Sequence, residues 1–454
     1  MTTPAARLAS EDFGPRVEPK PQYGRWLAGS IVGWAAFVAF LLFMSWVLLE
    51  IGRLIPAPFG SIVALILILV MITATLLTMA DRKWSALMQD RVGPNRARLP
   101  IPGLSDKPLK GLPHIVADVL KMLFKEDFIP EGAMSDRFLF NLAPMLAFAP
   151  AFMLFAVVPV SPELQVARVD WGILYVFALA SIAVFGTALA GWTSNNKLAL
   201  MGGLRASAQL VSYEVTLGLT LVGAFIAFGT LRLDFMAELQ GMAVQSLRSA
   251  SALNISYDQS LLFGWLPAWG LVYQPVGLIL FLVAAQAEIK RAPFDTPEGE
   301  SEIIGYFLEY SGLKSGLFLI AEYAETVVVA GIVTAIFLGA YHIPWFEPAI
   351  VRAFGMGVLS VLQVFAFIVK MLLIIWIMFL ARWAFPRFRY DQIMRLGWKM
   401  MLPISLLNVM VTAFVYLWAG REGIAWAGIV EWIAILFFIG LSQQKEQAHV
   451  PAAH

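Results

Sequence analysis

Residues 61–80 read SIVALILILVMITATLLTMA, a run of 20 residues without a single charge. A helix of roughly 20 apolar residues is long enough to cross the hydrocarbon core of a bilayer. Asp81 and Arg82 follow at once. The stretch therefore predicts a transmembrane helix that ends at a charged boundary.

Similar apolar runs recur along the chain. They lie near residues 27–49, 138–160, 171–190, 211–230, 264–286, 315–340, 355–381, 401–419 and 424–441. Overall, 59% of the 454 residues are hydrophobic and 14% are charged, whereas soluble domains have roughly 25% charged residues. We predict an all-α polytopic membrane protein with about ten transmembrane helices.

Basic residues indicate the orientation. With both termini inside, 25 Lys and Arg residues fall on the inner side and six on the outer side. By the positive-inside rule, both termini are predicted to be cytoplasmic. Residues 1–26 lack the apolar core of a signal peptide and are interpreted as a flexible cytoplasmic tail. Residues 442–454 form a second cytoplasmic tail.

Several kinds of chemistry are disfavoured by composition. The chain has no cysteine, and none of its four histidines lies within an apolar run. Iron–sulfur ligation by this chain is therefore excluded, and we expect neither a haem nor a metal site. A net charge of +1 gives no reason to expect a nucleic-acid partner.

The segment EIKRAPFDTPEGESEIIGYFLEY, residues 288–310, sets six carboxylates between two apolar runs. Its two prolines disfavour helix in the residues before them. Glu298, Glu300 and Glu302 share a face if the segment is extended, whereas only Glu298 and Glu302 do so in a helix. Close carboxylates titrate as a coupled group, so the loop is interpreted as a proton store. A solvated acidic loop is the alternative.

Five ionisable residues fall inside predicted spans: Glu214, Glu322, Glu325, Lys370 and Glu431. Such a group costs at least ~2.5 kcal/mol on insertion and is a functional candidate. Glu322 and Glu325 share a helix face and could form one step of a relay. Lys370 is expected to pair with Glu322 or Glu214, either for function or to fix helix register. Glu431 is expected to face a partner subunit or lipid headgroups.

The long connection from residue 81 to residue 137 carries two further signals. Residues 111–128, GLPHIVADVLKMLFKEDF, place apolar residues at helical spacing. This pattern predicts an amphipathic surface helix in the cytoplasmic membrane interface. Residues 91–103, RVGPNRARLPIPG, combine a turn signal with basic residues. They favour docking of an acidic partner, or contact with anionic lipid.

Four long motifs occur in order between residues 65 and 407. They are QDRVGPNR with a downstream ADVLKMLFKE, GWTSNNKLALMGGLRASAQLVSYEV, AEIKRAPFDTPEGESE followed by EYSG, and RFRYDQIMRLGWK. Together they resemble the H subunits of bacterial NADH-quinone oxidoreductase, which form the subunit 1 family of respiratory complex I.

The resemblance implies an eight-helix core over residues 61–419, with extra transmembrane helices at 27–49 and 424–441. Such a subunit joins the membrane arm to the hydrophilic arm and forms a tunnel for its quinone substrate, ubiquinone or menaquinone. It couples quinone reduction to proton translocation in the bacterial inner membrane. The implied partners are membrane lipids and other complex I subunits: quinone-site hydrophilic subunits with an iron–sulfur cluster, small membrane subunits and antiporter-like subunits.

The motifs also imply roles for particular residues. The proton relay would comprise Glu214, Glu288, Asp295, Glu298, Glu300, Glu302, Glu309 and Glu322, with Arg291 and Arg205 as counter-charges and Lys370 further along. The quinone entrance would comprise Asp81, Arg82, Asp118, Lys121, Lys125 and Glu126, with Phe294 in the cavity wall.

The chain departs from the family pattern at three places. Asp81 stands where the family usually has Glu, and the spacing between Glu302 and Glu309 is one residue shorter. Ser181 stands where some relatives carry a carboxylate. Two alternatives remain open: a membrane anchor of a related hydrogenase or ferredoxin-oxidising complex, and a stand-alone cation transporter.

Overall fold

The structure, a computed structural model, describes residues 23–54, 59–91, 93–94, 113–131, 136–241, 266–297, 299 and 305–449. The chain divides into two compact units, Met1–Met44 and Ser45–His454. The described part of the first unit is helical, and the contacts below belong to the second. Glu298, Glu300, Glu302 and most of the basic turn lie outside the described residues.

The described residues form helices and no β-strand. In chain order the helices are α1 Tyr23–Leu54, α2 Phe59–Met88, α3 Pro113–Phe124, α4 Arg137–Val157, α5 Gly172–Thr193, α6 Lys197–Phe228, α7 Leu233–Gln240, α8 Gly270–Tyr273, α9 Pro275–Glu288, α10 Gly312–Phe337, α11 Glu347–Phe354, α12 Met356–Ala384, α13 Tyr390–Arg395 and α14 Leu402–His449. The last turn of α4 is a 3₁₀ helix, and α13 continues through a π-helical stretch into α14.

Seven of the described helical segments are long and apolar enough to cross a membrane: α2, α4, α5, α6, α10, α12 and the run Tyr390–Gly440. Helix α9 is apolar but shorter. The prediction of an all-α polytopic membrane protein is confirmed. The number of ten spans stays a prediction.

Helix α10 lies at the centre of the bundle. Of its most apolar 18 residues, 78% are buried, against 17% for the run Tyr390–Gly440. It packs against α2, α4 and α12. Glu322 and Glu325 are therefore held inside the protein.

Helix α6 begins earlier than its apolar pattern predicts. The apolar run places the start of this helix near residue 211, but α6 starts at Lys197. The Asn196 side chain accepts a hydrogen bond from the Leu198 N–H at 2.9 Å and caps the helix. A Cβ on Gly203 would lie 3.1 Å from the Cα of Gly191, so α5 and α6 pack backbone to backbone. Close packing of these small residues thus stabilises the helix over the turns that precede its apolar run.

The two helices predicted at 401–419 and 424–441 form one helical run with a kink. Gly420 interrupts α14 with a φ of 67° and a ψ of −160°. A positive φ is accessible to glycine at little cost. The chain therefore bends at this residue and continues without a loop.

Helix α3 is the predicted amphipathic helix. Its exposed apolar side chains are Val116, Val119, Leu120, Leu123 and Phe124. After the helix ends, the Ser311 hydroxyl donates to the Glu126 carbonyl at 3.1 Å and accepts from the Phe128 N–H at 3.0 Å. This end is thus fixed to the start of α10, while the apolar face is free to enter the membrane interface.

Lys370 of α12 binds the end of α10. Its ammonium group donates to three backbone carbonyls, at 2.7 Å to Leu338, 3.0 Å to Ala340 and 2.7 Å to His342. Carbonyls at a helix C-terminus lack intrahelical partners and attract cations. The predicted pairing with Glu322 or Glu214 is wrong, because Glu322 binds Arg291 and Glu214 binds Ser181.

We predict that Lys370→Met lowers the free energy of unfolding by about 1–3 kcal/mol, since it leaves buried carbonyls without a donor. Thermal unfolding of the purified protein in detergent, followed by circular dichroism, measures the change. The control is Lys399→Met, which removes an exposed lysine. Equal unfolding temperatures for the two variants would show that the three hydrogen bonds do not stabilise the bundle.

Candidate functional site

Five side chains meet where α2 approaches its end, and we call them the Asp81 cluster: Asp81, Arg291, Glu322, Tyr323 and Arg382. Asp81 Oδ2 lies 2.6 Å from Arg382 Nη1 and 3.3 Å from Arg291 Nη1. The other arm of Arg291 lies 3.3 Å from Glu322 Oε2. Tyr323 donates its hydroxyl to Asp81 Oδ2 at 3.2 Å, and the Arg291 guanidinium lies 4.0 Å from the centre of its ring.

The Asp81 cluster balances two carboxylates with two guanidinium groups. Buried charges are tolerated when they are paired and hydrogen-bonded. Asp81 Oδ1 and Arg291 Nε are nevertheless buried without a partner among the described residues. The cluster can therefore bind a further polar group. Asp81, whose side chain is one methylene shorter than the Glu that the resemblance implies here, reaches both guanidinium groups.

The predicted entrance residues on α3 lie beside this cluster. Arg82 Nη1 is 2.7 Å from Asp118 Oδ2, which joins α2 to α3. Both side chains are over a third exposed, so the pair contributes only ~0–1 kcal/mol. Lys121, Lys125 and Glu126 are exposed at the end of α3.

Gln209 of α6 holds the irregular segment after α9. Its fully buried amide group donates to the carbonyls of Ala287 and Phe294, at 2.7 and 3.0 Å, and accepts from the Thr296 hydroxyl at 2.8 Å. Irregular backbone inside a bundle needs such partners. We did not predict this residue. A buried amide on the helix facing an irregular loop is the signal that could have found it.

Phe294 packs between two other aromatic rings. Its ring centre lies 5.7 Å from that of Tyr213 and 5.6 Å from that of Phe388. With 3% of its surface exposed, it fixes the turn. It does not line the interior cavity described below, so its place in a quinone cavity wall stays a prediction.

Asp295 lies at the outer edge of the same turn. Its Oδ2 is 3.1 Å from Arg387 Nη2. Burial raises the pKa of the Asp295 carboxyl to about 6, against the opposing charge of Arg387. This carboxyl can therefore change protonation near neutral pH.

Glu309 binds the start of α6 in this structure. Its Oε1 accepts a hydrogen bond from Asn196 Nδ2 at 2.7 Å, and Asn196 is the cap of that helix. Glu298, Glu300 and Glu302 lie outside the described residues. The role of these four acids in a relay stays a prediction.

Lys290 and Arg291 face two different carboxylates of α10. Lys290 Nζ lies 4.0 Å from Glu325 Oε2, whereas Arg291 binds Glu322, three residues earlier. Lys290 has a φ of 61°, so the chain turns sharply and sends consecutive side chains in different directions. Lys290 was missed in our sequence analysis, although its place beside Arg291 and the spacing of the two glutamates would have indicated it.

Lys290 and Glu325 both line an interior cavity. Its empty space, including the part open to its surroundings, is about 850 Å³. Glu214 of α6 and Glu288 of α9 also line it, among mostly apolar side chains of α5, α6 and α10. Ser181 donates its hydroxyl to Glu214. Ser181, a position where the resemblance implies a carboxylate in some relatives, is thus connected to the predicted relay.

Two other predicted residues lie apart from these groups. The Arg205 guanidinium is 5.7 Å from the centre of the Tyr390 ring, and its role as a counter-charge stays a prediction. Glu431 was expected to face a partner or lipid headgroups, but its carboxylate accepts from the Val276 N–H of α9 at 3.5 Å. Among the described residues, no group of three His, Asp or Glu side chains could hold a metal ion.

The sequence of the chain matches one family of known proteins. The family model described as NADH dehydrogenase matches residues 60–413. The first of the NADH-quinone oxidoreductase H subunits of Geobacter metallireducens is 40% identical over 364 residues, which are 78% of this chain and 94% of the relative. The corresponding H subunit of Bdellovibrio bacteriovorus is 38% identical over 77% of this chain and 94% of its own length.

A relative named subunit 8 of NADH-quinone oxidoreductase, from Rhodothermus marinus, is 37% identical over 79% of this chain and 97% of its own length. The family match covers α2 to α13 and the start of α14, which carry the Asp81 cluster and the acid-lined cavity. The chain therefore belongs to the NADH dehydrogenase family, among the H subunits of NADH-quinone oxidoreductase.

Proposed function

We propose that this chain forms the wall of a quinone tunnel and couples quinone reduction to proton translocation in NADH-quinone oxidoreductase. One observation carries the proposal. Arg291 binds Glu322 of the central helix, and the residue before it, Lys290, faces Glu325 of the same helix at 4.0 Å, so this turn connects the Asp81 cluster with the acid-lined cavity. Ionisable groups inside a membrane protein are expensive and occur mainly along ion pathways.

The Asp81 cluster is the proposed quinone end of this path. Reduction of a quinone to a quinol takes up electrons and protons, and we propose that the electrons come from an iron–sulfur cluster of a partner subunit. The unpaired polar atoms of Asp81 and Arg291 suit a polar headgroup or water beside it. The exposed apolar face of α3 suits the tail of either ubiquinone or menaquinone.

Coupling would pass through Arg291, which Asp81 and Glu322 share. A change of charge on one carboxylate within a few ångströms alters the protonation of the next. Glu322 and Glu325 lie on the same helix, so the change reaches the pair between Glu325 and Lys290 and then the cavity. From Glu288 and Glu214 the proton path is proposed to continue into antiporter-like subunits.

The proposed surroundings follow from this role. The chain would lie in the bacterial inner membrane with both termini in the cytoplasm. Quinone-site hydrophilic subunits would contact the end that carries the Asp81 cluster, and small membrane subunits would border the cavity side.

We predict that Glu288→Gln in the assembled complex lowers the rate of proton translocation by about tenfold or more, since removal of a proton-transferring group typically costs about 100-fold or more. Inverted membrane vesicles oxidising NADH with quinone allow proton uptake and quinone reduction to be measured together. The matched control is Glu238→Gln, which removes an exposed carboxylate of α7.

In a tightly coupled complex, quinone reduction by the Glu288→Gln variant slows together with proton translocation. In a loosely coupled one, the number of protons per electron falls. Normal quinone reduction with a normal number of protons per electron would contradict the coupling role.

The pH dependence of quinone reduction tests the turn that carries Asp295. Arg387→Gln removes a positive charge that opposes the rise in the pKa of Asp295. The pKa should therefore rise further above 6. We expect the corresponding inflection of the pH–rate profile to move to higher pH. Arg389→Gln, at an exposed residue paired with Asp391, is the control, and an identical shift in both variants would refute the assignment to Asp295.

A further inference from the structure

The second part of α14 lies outside the family match, yet it packs against the short helices α8 and α9. The match ends at residue 413, whereas α14 continues to His449. Beyond the kink at Gly420, one face of the helix is exposed and apolar, with Val430, Ile433, Leu436 and Phe437 each more than 60% exposed. This face suits lipid. The opposite face contacts α8 and α9.

The contacting face consists of Ile424, Ala425, Gly428, Glu431 and Trp432, which recur at helical spacing. Trp432 Nε1 donates to the Leu271 carbonyl at 2.9 Å. A Cβ on Gly428 would lie 1.9 Å from the Val272 carbonyl oxygen, so only glycine fits there. Small residues allow membrane helices to approach this closely. The helix is therefore seated against the backbone of α8.

Glu431 continues this contact onto α9. Helix α9 begins with Pro275, and its next residue, Val276, directs a free N–H towards Glu431 at 3.5 Å. A carboxylate at a helix N-terminus satisfies orphan donors and interacts favourably with the helix dipole. This explains how a carboxylate is tolerated in an otherwise apolar helix.

Residues on both sides of the kink fix the break between α8 and α9. Gln274, the residue of the break, accepts from Asn408 and donates to Thr412 of α14, both at 2.8 Å. Arg421 donates to the Phe228 carbonyl at the end of α6 at 3.4 Å. Helix α14 thus holds the broken segment through Asn408 and Thr412 before Gly420 and through Glu431 and Trp432 after it, while Arg421 fixes it to α6.

We infer that Glu431 and Trp432 are positioning residues, which fix the first turns of α8 and α9 and thereby set the position of Glu288 at the far end of α9. The inference rests on the proposed role of Glu288 in coupling. Helix α9 has only 14 residues and is rigid over that length. A shift of its first turn therefore moves the carboxylate in the cavity.

The test uses the assembled complex with Trp432→Phe, which keeps the aromatic ring and removes the N–H donor, and with Glu431→Ala. Glu431→Gln retains an oxygen acceptor and should behave as wild type. Ile433→Ala, on the exposed face, is the matched control. Hydrogen exchange read by mass spectrometry over residues 270–280, the number of protons translocated per electron and the KM for quinone are measured for each.

We expect exchange over residues 270–280 to become about fivefold faster in Trp432→Phe and Glu431→Ala, as for the loss of one net hydrogen bond. Protons per electron should fall while the KM for quinone stays unchanged. Unchanged exchange in both variants, or the same change in Ile433→Ala, would overturn the inference. If Glu431→Ala prevents assembly, the milder Trp432→Phe decides.

The two proposals can fail separately. If Glu288→Gln leaves coupling normal while Trp432→Phe accelerates exchange, the coupling role fails and the contact with α8 stands. If Glu288→Gln uncouples but Trp432→Phe changes neither exchange nor coupling, the positioning role fails alone.

Discussion

The site depends on one constraint: the adjacent side chains of Lys290 and Arg291 must point to two different carboxylates. Lys290 and Arg291 leave the same turn, yet Lys290 lies 4.0 Å from Glu325 whereas Arg291 binds Glu322. Each carboxylate is on the most deeply buried helix of the bundle, where an unpaired charge would be costly. The turn after α9 must therefore stay where both basic residues reach α10. The hydrogen bonds of Gln209 to that turn serve this requirement.

Charge balance differs between the two groups that this turn connects. In the Asp81 cluster, two guanidinium groups match two carboxylates. Among the described residues that line the cavity, Glu214, Glu288 and Glu325 accompany a single basic residue, Lys290. Several buried negative charges beside one positive charge are expensive. In the proposed coupling role, this difference would give charge a direction in which to pass.

The sequence predicted the elements whose signal is local. Apolar runs located the spanning helices, and helical spacing located α3 and the pair Glu322 and Glu325. What it did not show were contacts between residues distant in the chain. Arg382 joins Asp81 across 301 residues, and no pattern near either residue indicates this. The early start of α6 was missed for a related reason, because glycines that pack against another helix give no apolar signal.

Lys370 and Glu431 illustrate the same limit through one physical rule. Each is a charged residue in an apolar helix, for which a side-chain or external partner was expected. Each instead binds backbone at a helix end: the Lys370 ammonium group meets carbonyls of the turn that follows α10, and the Glu431 carboxylate meets an N-terminal N–H of α9. The backbone groups at a helix end are the same for nearly every residue type, so the amino-acid composition cannot show that they will act as a partner. Broken and short helices such as α8 and α9 create additional ends inside the bundle, and a membrane protein with such breaks can therefore hold more charge than its ion pairs alone would allow.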